Sequence, residues 1–230
     1  MSNFLTSSIG KKVIMSISGL FLIAFLIVHL SLNLLLIFDN SGELFNIGAH
    51  FMATNPIIKV VEPVLALGFV VHIILATILT IQNMKARPVG YARSEQSNNA
   101  SWASRNMFIL GGLILIFLVI HLYNFWLNIK LPELGTPLEI TTVDGVEMEN
   151  AYLMVSSLFK NSVFFCMLYV LAAIFLGLHL SHGFWSCFQS VGFSNKIWRK
   201  RLEWVGYLFA IVIGVGFAII PLYFLAGFAG

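Results

Sequence analysis

Four of the six histidines in this chain stand singly inside four separate long apolar runs: His29, His72, His121 and His179. An ionisable ring is costly in a bilayer interior, so such a residue ordinarily faces other protein and has a partner or a task. One imidazole on each of four helices is the inventory for two six-coordinate haems, each gripped from both faces by ring nitrogen. Taken one at a time, the same residues also read as hydrogen-bonded packing histidines or as steps of a transporter's proton path. Their number and distribution point instead to electron transfer across a membrane.

The other two histidines compete less well. His182 follows His179 by three residues and shares its helix face, so it is an alternative ligand and otherwise a packing or propionate-side residue. The pair also hints at a non-haem iron box, but such sites need several clustered histidines or carboxylates, and no second box exists. His50 falls in a connecting segment and reads as an interfacial loop histidine. The two cysteines, Cys166 and Cys187, both lie on the fourth apolar run. At helical rise they are roughly 30 Å apart and cannot bridge. No C-x-x-C-H occurs, which excludes covalent c-type haem.

These histidines must be positioned by membrane helices. The 230 residues are 59% hydrophobic and only 10% charged, with mean hydropathy +0.91, against about 25% charged in a soluble domain. Five runs are long enough for the roughly 20 residues that cross a bilayer: about 13–38, 57–84, 106–128, 163–188 and 202–228. The expected fold is an all-α membrane protein, one domain over 1–230, with five transmembrane helices arranged as a dihaem bundle. The run after Lys12 is too long for a cleaved signal and reads as a retained first helix.

The net charge of +3 does not point to nucleic acid, because its distribution is one-sided. Lys11, Lys12, Lys85, Arg87, Arg93, Arg105, Lys196, Arg199, Lys200 and Arg201 flank one side of a five-helix up-down path. The other side holds Lys59, Lys130 and Lys160 against eight acidic residues from Asp39 to Glu149. The positive-inside rule puts the N-terminus in the cytoplasm and the C-terminus outside.

Between the spans, loop one (39–56) carries Asp39-Asn40-Ser41-Gly42 and Asn55-Pro56. Loop two (85–105) is polar and basic, with Arg87-Pro88 and Ser97-Asn98-Asn99. Loop three (129–160) has turn signals at Pro132, Gly135, Pro137 and Asp144-Gly145, and its Ile140-Thr141-Thr142-Val143 stretch predicts a small hairpin. Loop four (189–201) is short and basic.

Depth along the helices pairs the ligands. His29 lies 17 residues after Lys12 and His121 lies 16 after Arg105, on helices that run the same way. The two therefore share a level to about 1.5 Å, in the outer half. Phe25-Leu26-Ile27-Val28-His29-Leu30 and Phe117-Leu118-Val119-Ile120-His121-Leu122 repeat the same local pattern. His72 and His179 run the other way, pair partly by elimination, and belong nearer the cytoplasm. Gly68, four before His72, and Gly183, four after His179, would give a haem ring room on the ligand's helix face; ordinary small-residue helix packing is the alternative.

The chain resembles, over nearly its whole length, the single large cytochrome b membrane anchor of dihaem succinate:menaquinone oxidoreductases and fumarate reductases (the cytochrome b558 type). The resemblance is carried by His29-Leu30-x-x-Asn33, by Ala49-His50-Phe51-Met52 leading to Pro56, by His121 followed by Tyr123, and above all by His179-Leu180-Ser181-His182-Gly183-Phe184-Trp185-Ser186. The spacing of the last motif favours His179 over His182. The resemblance implies one haem b held by His72 and His179 near a cytoplasmic iron–sulfur subunit, and a second held by His29 and His121 toward the outside. It implies a flavoprotein subunit beyond the iron–sulfur subunit, with FAD and the clusters on those partners, and the dicarboxylate site there too. Menaquinone would react near the outer haem, with Asn33, His50 and Glu62 as positional candidates. Glu62 reads equally as an interfacial carboxylate capping the start of helix two. The setting implied is a bacterial cytoplasmic (inner) membrane, as part of the respiratory chain and tricarboxylic acid cycle, with lipid around the bundle and a dimer of the whole complex admitted.

One departure stands out. Some fumarate-reducing members carry an acidic residue two positions before the helix-four ligand, linked to transmembrane proton transfer, where this chain has Gly177. The rival readings are a haem b anchor of another membrane dehydrogenase or hydrogenase, and a non-haem transporter with a histidine proton path. The cytochrome b of the bc complex fits poorly, since it places two ligands on each of two helices.

Overall fold

The computed structural model describes residues 7–86, 101–193 and 195–228. It is mostly helical: α1 (Ser8–Phe38), α2 (Glu43–Thr54), α3 (Pro56–Lys85), α4 (Trp102–Arg105), α5 (Met107–His121), α6 (Leu127–Lys130), a hairpin of β1 (Ile140–Val143) and β2 (Val146–Glu149), α7 (Ala151–Asn161), α8 (Val163–Ser190) and α9 (Lys196–Leu225). A five-residue π-helical stretch, Leu122–Trp126, joins α5 to α6 into one rod. Five helices are long and apolar enough to cross a membrane: Ser8–Phe38, Pro56–Lys85, Met107–Lys130, Val163–Ser190 and Lys196–Leu225.

Side-chain caps set where these helices begin. Ser7 accepts from Gly10 N at 3.0 Å, Asn55 from Ile57 N at 2.9 Å with Pro56 at the first turn, Ser162 from Phe165 N, and Asn195 from Trp198 N at 2.8 Å. Each side chain satisfies a backbone donor that has no partner inside the helix. The Asn195 cap explains why the fifth span begins at Lys196 rather than near 202: charged Lys196–Arg201 still wind as helix ahead of the apolar run. Gly227, at φ 76°, adopts the left-handed region that ends the span, at Leu225 rather than 228.

Three connecting segments expected as loops hold helices, the one in loop two being the four-residue α4. Loop one contains α2, started by the Asp39 carboxylate, which accepts from Ser41 N at 3.0 Å and Leu44 N at 2.9 Å. Loop three contains α7 as well as the expected hairpin. Asp144 and Gly145 both have positive φ, the geometry of a tight two-residue turn, and Val143 pairs with Val146 across it. In loop two, Arg87, Pro88, Arg93 and Ser97-Asn98-Asn99 lie outside the described residues. The α2 and α7 helices are short and amphipathic, so their apolar faces are legible only against each other. Asn46 ties them, accepting from Tyr152 N at 2.8 Å and donating to Asn150 at 3.2 Å. Phe45, Val155 and Phe159 drive into a core with Leu36, Cys166, Tyr169, Ile220 and Phe224.

The helix directions follow from contacts at named depths. Glu62 near the start of α3 meets Lys130 at the end of α6. Ser18 near the start of α1 meets His72 in the second half of α3. Arg199 at the start of α9 lies over Trp185 near the end of α8. The described basic residues Lys11, Lys12, Lys85, Arg105, Lys196, Arg199, Lys200 and Arg201 therefore cap one end of the bundle, the basic end. The acidic connecting segments cap the other.

The α8–α9 pair is the closest contact in the bundle. A Cβ at Gly177 would stand 3.2 Å from the Ala210 carbonyl, and one at Gly214 would stand 3.3 Å from the Ala173 carbonyl. The α1 helix lies against α3, α8 and α9, and α5 lies against α8. By contrast α3 rests mainly on α1 and contains no buried residue.

Candidate functional site

Nearer the acidic end, His29 and His121 face each other with ring centroids 5.7 Å apart and planes at 87°. Helical spacing builds an aromatic wall around them. Phe25, four before His29, stacks on its ring at 5.1 Å. Phe117 and Phe125, four either side of His121, sit at 5.7 and 5.3 Å from it. Phe217 from α9 approaches His29 at 5.6 Å, and Tyr169 from α8 approaches His121 at 6.0 Å. Within this apolar shell His121 Nδ1 is buried and has no hydrogen-bond partner, which is an expensive state for a polar atom.

His121 is also the last residue before the π-helical stretch Leu122–Trp126. Such a stretch inserts an extra residue into the helical turn and re-aims the side chains beyond it, and it recurs at functional sites. Here Asn124 is turned toward α8 and donates to the Tyr169 hydroxyl at 3.1 Å. Asn124 also lines a polar cleft of about 420 Å³ at the acidic end, together with Tyr123, Asn128, Thr136 and Ser157.

Nearer the basic end, His72 of α3 lies against Ser18 and Gly19 of α1, and His179 of α8 lies beside Gly111 of α5. Glycine backbones surround both rings. A Cβ on Gly19 of α1 would fall 3.6 Å from His72 Cε1 and 2.9 Å from Cys187 Sγ; one on Gly111 of α5 would fall 3.6 Å from His179 Cε1. The next residue, Gly112, faces open space. His72 Nδ1 lies 3.2 Å from the Ser18 hydroxyl. His179 Nδ1 is buried and makes no hydrogen bond of good geometry, although the Met107 backbone carbonyl lies near the ring. Gly183 leaves ordinary space beside His179 Cδ2, at 3.9 Å. Gly68 does not provide room beside His72: a Cβ there would lie 2.9 Å from the Phe21 ring, so its small size serves α1–α3 packing.

His182 follows one turn after His179 on α8. Its ring packs on Trp185 at 4.8 Å, and Trp185 in turn carries Arg199, which is ion-paired to Glu203 at 3.0 Å. His182 thus belongs to the basic edge of the bundle, although its buried Nδ1 also has no partner.

The positional quinone candidates are scattered. Asn33 donates back to the His29 carbonyl at 2.7 Å, within its own helix. His50 is half-buried on α2. Glu62 does not cap the start of α3, which Asn55 does; its two carboxylate oxygens take Trp126 Nε1 and Lys130 Nζ, each at 2.7 Å. Gly177 faces the α9 backbone and not the histidines, so a larger acidic side chain has no space there without parting the two helices.

The donor set suits haem b. Two imidazoles on opposite faces of one iron, with metal–nitrogen bonds of about 2 Å, hold their ring centroids roughly 6 Å apart. The His29–His121 spacing is close to that value, and Gly111 leaves ordinary contact distance beside His179, whereas the space at Gly19 is taken by Cys187 Sγ. Sequence reasoning missed Ser18, Gly19, Gly111, Asn124 and Tyr169. The adjacent glycines Gly111-Gly112 inside an apolar run were a visible signal; the rest are ordinary membrane-helix residues until their neighbours are known. Among the described residues no cluster of three or more His, Cys, Asp or Glu is placed to hold a bare metal ion. No protein-family model, curated protein or solved structure matches the chain.

Proposed function

We propose that this chain is a dihaem cytochrome b membrane anchor, which passes electrons between a dicarboxylate-oxidising enzyme at its basic end and menaquinone near its acidic end. The observation that carries the reading is the His29–His121 pair: two imidazoles from different helices, 5.7 Å apart in an aromatic shell. The second pair, His72 and His179, supports it at a second level.

Haem, when bound, supplies reversible one-electron transfer through an iron held between two imidazoles. The protein's own work is to present neutral ring nitrogens, keep their rings oriented, and exclude water. The phenyl rings of Phe25, Phe117, Phe125 and Phe217 do the last at one level. At the other level Gly19 and Gly111 bring the α1 and α5 backbones close to the His72 and His179 rings. Two levels along the bundle give an electron path in two short steps in place of one long one.

In this reading the basic end is cytoplasmic and the C-terminus is outside, in a bacterial inner membrane. The basic end meets an iron–sulfur subunit that is linked to a flavoprotein, and the succinate or fumarate chemistry resides there. Menaquinone reacts near the His29–His121 level. Glu62, with Trp126 and Lys130, and the cleft reached through Asn124 are its candidate neighbours; Asn33 and His50 lie on the same side.

A reduced-minus-oxidised spectrum of the intact purified complex, with haem counted by pyridine haemochrome, tests the proposal. About two b haems per chain are expected. A colourless protein isolated with its partners would overturn it and favour a transporter with a histidine proton path. Two haems with co-purifying subunits of a hydrogenase or formate dehydrogenase would keep the cytochrome and replace the partner.

A further inference from the structure

We infer that Ser18 is a positioning residue for His72, fixing from the neighbouring helix which ring nitrogen carries the proton and leaving Nε2 with the free lone pair. Its consequence for electron transfer rests on the haem-ligand reading above; the hydrogen-bond assignment does not.

A hydroxyl has one proton to give and lone pairs to receive. The Ser18 hydroxyl lies 2.9 Å from the Met15 carbonyl and 3.2 Å from His72 Nδ1. The carbonyl can only accept and is the shorter of the two contacts, which favours it as the taker of the hydroxyl proton. The oxygen then has only lone pairs to offer His72, so Nδ1 must be the protonated nitrogen and the donor. A neutral imidazole has one proton, so Nε2 is left as the acceptor and ligand nitrogen.

The surroundings make this contact unlike a casual one. Ser18 is buried, with 7% of its surface exposed, in a segment where water is not at hand to compete. Next to it Gly19 brings the α1 backbone close to the His72 ring, where a Cβ would stand 3.6 Å from Cε1. The α3 helix has no buried residue of its own, so its histidine depends on α1 for orientation. His121 and His179, in contrast, have no side-chain partner at Nδ1. Among the described residues His72 is thus the one of the four whose Nδ1 is held by a side chain.

A hydrogen bond from the distal ring nitrogen raises the basicity of the ligating one and favours the oxidised metal; losing it typically costs 10- to 100-fold in metal affinity. Ser18→Ala in the intact complex should therefore shift the midpoint potential of one haem of the two upward, leave the other unchanged, and speed haem loss on the order of tenfold. Ser18→Thr, which keeps the hydroxyl, should restore both. A potential unmoved by Ser18→Ala overturns the inference. If the purified protein holds no haem, the functional reading fails while this one is still decided. The ¹⁵N resonances of His72, identified by their loss in His72→Gln, should show protonated Nδ1 in the parent and a tautomer mixture in Ser18→Ala; identical tautomers overturn it. Should Ser18→Ala fail to assemble, Ser18→Cys, similar in volume and only a weak acceptor, replaces it in both measurements.

Discussion

His29 of α1 and His121 of α5 stand edge to face, 5.7 Å between ring centroids. Each lies in the half of its span nearer the acidic end; Phe25 stacks on His29, and Phe117 and Phe125 flank His121 four residues to either side. Under the proposed function this is the seat of one haem, and it gives a sharp expectation. His29→Leu and His121→Leu should each remove one of two b haems and leave the same one behind. His72→Leu and His179→Leu should remove the other. His182→Leu should leave both. Haem per chain and the low-temperature spectrum of each variant check this; full haem content in all four ligand variants would refute the assignment.

Glu62 links α3 to the end of the third span, through Lys130 and Trp126. Both charged side chains are about a quarter to a third exposed, so the pair is partly desolvated and charge-assisted. Glu62→Gln should cost about 1 kcal/mol, read as a lower unfolding midpoint in detergent. Lys130→Gln should cost about as much, and the double variant little more than either alone. Additive losses would show that the two side chains act independently.

Gly177 is set by the α9 backbone. A Cβ there meets the Ala210 carbonyl at 3.2 Å and Gly214 Cα at 3.6 Å. Gly177→Ala should be mildly destabilising, whereas Gly177→Leu should wedge α8 from α9 and cost about 1–3 kcal/mol or more. Equal thermal midpoints for the two variants would contradict the close approach.

The turn before α2 should respond to acid. The Ser41 hydroxyl, then the Leu44 amide, donate to Asp39 and hold its carboxyl below the ordinary value of 3.8. The folded turn therefore binds the proton less well than the unfolded chain. Its stabilisation is complete above that ordinary value and is lost as pH falls through the lower folded value. Deuterium exchange across residues 39–46, corrected for the intrinsic rate, should rise below about pH 4 in the parent. Asp39→Asn should lack this dependence. The same profile in both proteins would remove Asp39 as its cause.

Much of this molecule is determined by the sequence alone. A run of 20 or more apolar residues has one stable state in a bilayer, because every backbone polar group must be satisfied inside its own helix. Asp144-Gly145 between β-branched residues has one economical turn. Charge at the span ends and the fixed rise of a helix then set depth, which is why counting alone brought His29 and His121 to one level. What only the tertiary structure decided is lateral: which faces of the helices meet. Ser18 beside His72, Glu62 beside Lys130, Gly68 against Phe21 and Gly177 against Ala210 are contacts between residues far apart in the chain, on helices whose apolar faces look alike in sequence. The same holds for α2 and α7, whose few apolar residues become a core only where the two helices cover the end of the bundle together. A lipid-exposed helix is apolar all round, so its periodicity does not announce its inner face; only the packing partner does.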